Sequence, residues 1–216
     1  MFKAVIFDLD GTLVDTVDDF AYAMNTMLEH FGYPKRNKAE ILSFIGNGQK
    51  MFTLRSLPEN ARTEENLERC TEYYASVYSE NLVRYSAPYN GIPKALEDMK
   101  KAGMKLAVLS NKSDIHVQKI ISQIFGEDFF DAVLGAGRFA TKPDPEAVLY
   151  MADSLGVSTS EVAFVGDSDV DMKTAHNALM TAVGVSWGYR ERNVLESAGA
   201  DSIADNSDEL LKILLA

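Results

Sequence analysis

Asp8 and Asp10 stand one residue apart, directly after the apolar run Ala4–Phe7 and just before Gly11 and Thr12. Like charges that close raise each other's cost of ionisation, so such a pair needs a cation or a chemical use. In an extended segment residues i and i+2 point the same way, which aims both carboxylates at one spot. Gly11 supplies a turn conformation, and Thr12 a hydroxyl for local bonding. An EF-hand calcium loop places its glycine after a third acidic position, so that reading fails. The alternative is a polar turn with chance aspartates.

Three further clusters have residue types able to act with this pair. Ser110 and Asn111, with Lys112, follow an apolar run in LSNK. A hydroxyl, an amide and a backbone N–H at a strand end can bind phosphate oxygens; Ser-Asn is also an ordinary turn and helix-cap pair. Lys142 lies in TKPDP, where Pro143 biases it towards an extended backbone. Asp167, Asp169 and Asp171 crowd the turn behind Gly166 in FVGDSDVDM. Three carboxylates there repel unless a cation or lysine compensates, and hard oxygen donors suit magnesium. A solvated acidic turn is the competing reading. Asp169 and Lys112 read as solvated residues.

The elements that must position these clusters follow from hydrophobic patterning. Residues 4–7, 105–110, 161–166 and 180–185 are short, near-continuous apolar runs, the mark of parallel strands covered on both faces. Helical patterns occupy residues 93–103, 113–126 (apolar at Ile115, Ile120, Ile121 and Ile124) and 144–156, with proline near two of the starts and glycine at the ends. The alternation predicts an α/β fold with a doubly wound, mostly parallel, Rossmann-like sheet. Residues 16–83 carry helical spacing with no strand pattern. They read as a small helical cap inserted into a core of residues 1–15 and 84–216. Ligands of open parallel sheets bind at the carboxyl ends of the strands, so a block inserted there would overhang the site.

Bulk properties bound the function. The 216 residues are 46% hydrophobic, enough for a sizeable core. A net charge of −11 without a basic stripe argues against nucleic-acid binding. An anionic substrate would then need a locally positive site. The one cysteine, Cys70, forms no internal disulfide and reads as a small buried helix residue in a cytoplasmic protein. No signal peptide and no membrane span are expected. His30, His116 and His176 fit no metal spacing, and Trp187 and Tyr189 read as packing residues. A monomer or homodimer is expected.

Taken in order, DLDGT, the LSN serine, the KPDP lysine and GDSDVD resemble the four motifs of the haloacid dehalogenase superfamily of phosphatases. The resemblance covers nearly the whole chain. Within that superfamily the chain is similar to bacterial phosphoglycolate phosphatases: IGNGQKMFTLRSL (residues 45–57) resembles their glycine-rich cap segment, and VSWGYR (185–190) their Gly-Tyr stretch. One departure is Leu179, where relatives usually carry glycine. The resemblance implies that Asp8 attacks phosphorus to form an aspartyl phosphate and that Asp10 is the general acid and base. It also implies a magnesium ion (Mg2+) held by Asp8, the backbone carbonyl of Asp10 and Asp167. Ser110, the N–H of Asn111 and Lys142 would hold the transferring oxygens, and Asp171 would orient Lys142 or a metal-bound water. In the cap, Gly46, Asn47 and Gly48 would permit close approach to a small ligand. Lys50 and Arg55 would pair with a substrate carboxylate, or else mark a flexible hinge with surface cations. The implied activity is hydrolysis of a small phosphorylated metabolite, with 2-phosphoglycolate the preferred substrate. A sugar phosphomutase, a pyrophosphatase or a nucleotidase on the same scaffold are the rivals. A non-catalytic binding protein would have lost a motif residue, and none is lost.

Overall fold

Six apolar segments become strands of one sheet. They are β1 (Ala4–Phe7), β2 (Lys105–Ser113), β3 (Ala132–Ala136), β4 (Val162–Gly166), β5 (Thr181–Val185) and β6 (Ser202–Ala204). The sheet runs β3-β2-β1-β4-β5-β6, and every pairing in it is parallel. That order reverses between β1 and β4, which opens a crevice beyond their carboxyl ends. The computed structural model describes residues 2–46 and 48–216. No helix among them is long and apolar enough to cross a membrane.

Helices α1 (Val17–His30), α2 (Lys38–Phe44), α3 (Gly48–Ser56) and α4 (Glu64–Glu80) lie between β1 and β2 in the chain. The others are α5 (Ile92–Lys101), α6 (Asp114–Phe125), α7 (Glu146–Leu155), α8 (Asp169–Asn177), α9 (Arg192–Ser197) and α10 (Ser207–Leu215). One sheet face presents Ala4, Ile6, Ala107, Leu109, Val162 and Phe164. Val148 and Met151 of α7 and Met172 and Ala175 of α8 pack against it. Val5, Phe7, Leu106, Val108, Ala163 and Val165, which alternate with them, are buried too. Both faces are therefore covered, which is why these strands read as continuous rather than alternating apolar runs.

The chain divides into two compact units, Met1–Asp15 with Pro88–Ala216 and Thr16–Ala87. The second unit extends past residue 83, where the sequence pattern ends, to residue 87. The cause is Asp19 on α1: its carboxylate accepts from the N–H of Tyr85 and of Ser86, each at 2.9 Å, and from the Ser86 hydroxyl at 2.5 Å. An aromatic cluster fills this unit. Tyr74 and Tyr78 of α4 stack at 5.8 Å, Phe20 of α1 stacks on Tyr78 at 5.2 Å, and Phe52 of α3 meets Tyr74 edge-on. Cys70 is buried on α4.

Other segments depart from the sequence pattern. β2 runs three residues beyond Ser110 and carries Asn111 and Lys112, with an irregularity in its pairing after Leu109. Ile115, an apolar position of the expected helix, is 79% exposed at the start of α6. Leu179 sits at φ 57° and is 81% exposed. A left-handed backbone after a helix is the conformation that glycine adopts without strain, which accounts physically for the glycine expected there.

Candidate active site

The turn after β1 is built by its own backbone. The Asp8 N–H reaches the Val165 carbonyl of β4 at 2.9 Å. The N–H groups of Thr12, Leu13 and Val14 converge on the Leu9 carbonyl, and that of Gly11 bonds the Val14 carbonyl. Gly11 has φ 84°, and a Cβ there would lie 2.4 Å from Oδ2 of Asp167. The glycine thus lets the first turn approach the carboxylate that follows β4. From the other side, the Tyr189 N–H donates to that same Asp167 oxygen at 2.6 Å, and the Trp187 indole donates to the Thr12 carbonyl at 3.1 Å. Between them, Gly188 leaves no room for a side chain: a Cβ would sit 2.2 Å from that of Asp167. The Thr12 hydroxyl points at Asp167 Oδ1 at 3.4 Å.

Lys142 enters from the loop before α7. Its buried ammonium lies 2.8 Å from Asp8 Oδ1 and 2.7 Å from Asp171 Oδ1. Asp171 is held in turn by Ser168, whose N–H and hydroxyl donate to its Oδ2 in a capping box that starts α8. Asp8, Asp167 and Asp171 offer carboxylate oxygens within 4.8 Å of one another. Burial dominates the electrostatics of Asp8 and Asp167. It pushes the Asp8 carboxyl up to about 7, against the pull of Lys142 and with the push of Asp171. Asp167 is raised well above the ordinary range, first by burial and then by Asp171 and Asp8, with the Tyr189 N–H opposing. Burial alone would depress the Lys142 ammonium; ion pairing with Asp171 and Asp8 overrides it and raises it.

The chemistry of the donor set fits a divalent cation. Four carboxylates (Asp8, Asp10, Asp167, Asp171) meet two ammonium groups (Lys142, Lys112). With all of these groups ionised two negative charges remain, an excess that adds to burial in raising the Asp8 and Asp167 carboxyls. Hard oxygen donors of this kind favour magnesium.

Ser110 is buried at the crevice, and its Oγ accepts from the Lys112 N–H at 3.2 Å. The Asn111 side chain forms a reciprocal clamp on the Lys142 backbone: its Nδ2 donates to the Lys142 carbonyl at 3.0 Å, and the Lys142 N–H donates to its Oδ1 at 2.7 Å. The sequence pattern gave that amide side chain no such task. Lys112 is a second departure. Far from solvated, its side chain is 7% exposed and its ammonium pairs with Asp10 Oδ1 at 2.5 Å. Its i+2 spacing from Ser110 was the available signal. Asp169, by contrast, is a surface partner of Lys173.

Among the described residues, Gly46, Gly48, Lys50 and Arg55 of the inserted unit belong to no comparable cluster of carboxylates. Gly46 and Gly48 both have positive φ, 120° and 81°. Asn47 lies outside the described residues. Lys50 is exposed. The Arg55 guanidinium donates to the carbonyls of Phe44 and Gly46 at 3.0 and 3.2 Å, holding the α2–α3 connection.

The family profile described as haloacid dehalogenase-like hydrolase matches residues 5–185. A phosphoglycolate phosphatase of Haemophilus influenzae is 34% identical over 220 residues, spanning 99% of this chain and 98% of its own. One from Aquifex aeolicus is 32% identical over 213 residues, 98% of this chain and 96% of its own. The crystal structure of a predicted phosphoglycolate phosphatase from Haemophilus somnus superposes with a TM-score of 0.90 at 32% identity, covering 98% of this chain and 97% of that one. With the strand order, the crevice and the four clusters converging on it, these matches make the chain a member of the haloacid dehalogenase-like hydrolases.

Proposed function

We propose that the protein is a magnesium-dependent phosphatase of small phosphorylated metabolites, with 2-phosphoglycolate as its preferred substrate. The observation that carries this reading is the Lys142 ammonium held between Asp8 and Asp171, with Asp167 close by, at the crevice of the sheet. The relatives named phosphoglycolate phosphatase support the choice of substrate.

Asp8 is the nucleophile. One of its oxygens bonds to phosphorus while the bond from phosphorus to the leaving oxygen breaks, giving an aspartyl phosphate. Asp10 gives its proton to that leaving oxygen, then takes one from the water that hydrolyses the intermediate; each transfer is typically worth about 10²–10⁴-fold. Lys142, the Ser110 hydroxyl and the Asn111 N–H bind the transferring oxygens, where charge spreads in the transition state. Asp171 keeps Lys142 charged and aimed. Asp8, the backbone carbonyl of Asp10 and Asp167 would hold magnesium, which when bound neutralises phosphate charge.

The test is phosphate release from 2-phosphoglycolate, sugar phosphates, nucleotides and pyrophosphate, with magnesium and with chelator, for wild type and Asp8→Asn. Wild type should prefer 2-phosphoglycolate and require magnesium, and Asp8→Asn should lose about 10⁴-fold or more. Metal-independent turnover or an active Asp8→Asn variant would refute the mechanism. A preference for another substrate, or sugar-phosphate isomerisation needing a bisphosphate primer, would refute the substrate.

A further inference from the structure

We propose that Lys112 is a positioning residue for proton transfer: it holds Asp10 Oδ1, so that the carboxyl presents Oδ2 to the leaving oxygen. Three observations carry this. Lys112 lies on β2, next to β1 in the sheet, and Asp10 lies in the hydrogen-bonded turn that directly follows β1. Its side chain is 7% exposed and that of Asp10 16%, so neither is an ordinary solvated surface charge. The pair meets at 2.5 Å between residues 102 positions apart. An ammonium beside a mobile carboxylate restricts it to one rotamer, and a proton donor misplaced by about 1 Å can lose some 10²-fold in rate.

The inference rests on the acid–base role of Asp10 given above, and its chemistry balances in the same way. The proton on Asp10 Oδ2 passes to the departing alkoxide as the ester bond breaks and the bond from Asp8 to phosphorus forms. Water then returns a proton to Asp10 as it attacks the aspartyl phosphate. Lys112 neither gains nor loses a proton in either step.

A positioned acid matters for a poor leaving group and little for a good one. kcat/KM reports events up to release of the leaving group, so it isolates the first proton transfer. It should be measured with p-nitrophenyl phosphate, ethyl phosphate and 2-phosphoglycolate for wild type, Lys112→Met, Lys112→Gln, Lys112→Arg, Asp10→Asn and the Asp10→Asn/Lys112→Met double variant. Circular dichroism would identify the folded ones. Lys112→Met or Lys112→Gln should lose about 10- to 100-fold on both alkyl esters but less than about threefold on the aryl ester. Lys112→Arg should recover most of that loss, and Lys112→Met should add nothing in the Asp10→Asn background.

Equal losses on all three esters would overturn the proposal. So would a loss confined to KM for 2-phosphoglycolate, which would instead make Lys112 a contact for the substrate carboxylate. If Asp10→Asn shows no preference for alkyl over aryl esters, the acid–base reading of Asp10 itself falls. A selective Asp10→Asn beside an unselective Lys112→Met refutes the positioning role alone.

Discussion

Each unit buries carboxylates, and it treats them in opposite ways. In the inserted helical unit, Asp19 accepts from two backbone N–H groups and one hydroxyl, all neutral. A carboxylate satisfied so fully is a structural tie, joining α1 to the segment that ends the unit. In the core unit, Asp8, Asp167 and Asp171 crowd together with Lys142 as the ammonium between two of them. That arrangement by itself opposes folding, since buried charges without full compensation are costly. Burial of a carboxylate is therefore no mark of function; the state of its partners separates a tie from a reacting group.

The sharpest break of this comparison is a pair of substitutions with opposite signs. Asp19→Ala should destabilise the protein by about 3 kcal/mol, because it strands three donors. Asp8→Asn should stabilise the metal-free protein, by about 1–2 kcal/mol, because it removes one buried charge. Urea unfolding in chelator measures both. A destabilised Asp8→Asn would show that its charge is already compensated.

On the proposed function, magnesium and protons compete for the same carboxylates, which sharpens the contrast. The Asp8 carboxyl rises from 3.8 in the unfolded chain to about 7 in the folded one. A raised carboxyl takes up a proton on folding. Its stabilising contribution is complete below 3.8 and is lost as pH rises through about 7. Metal-free wild type should thus lose stability relative to Asp8→Asn between those limits. Apparent magnesium affinity should weaken below pH 7, by about 1.4 kcal/mol per pH unit for each proton displaced. Thermal shifts by magnesium at pH 6 and pH 8 check this; equal shifts would contradict it.

The smallest effect concerns a residue outside both clusters. Leu179→Gly should relieve the left-handed backbone and stabilise by about 1 kcal/mol, or about 2–4 °C in Tm for a chain of this size. No gain would mean that the exposed leucine side chain contributes as much as the strain costs.

How much was legible follows from how local each signal is. β1 and β4 are continuous apolar runs ending in aspartate, so strands and motifs could be read together. β3, the half-buried AVLGA, and β6, only three residues long, lie at the two sheet edges and carry too weak a pattern. The tie from Asp19 to Tyr85 spans 66 residues, and nothing in VDDF announces it. Lys112 looked solvated because its partner is 102 positions away.

The sequence by itself determined the α/β alternation, the inserted helices and the four polar clusters, three at strand ends and one on the loop entering α7. Those rest on propensity and periodicity within a dozen residues. Only the tertiary structure decided which charges share a site. It placed Lys142 between Asp8 and Asp171, turned the Asn111 amide onto the Lys142 backbone, and brought Lys112 to Asp10. The reason is physical: strand pairing fixes which ends meet, and at buried ends electrostatics depends on distance in space rather than on separation along the chain.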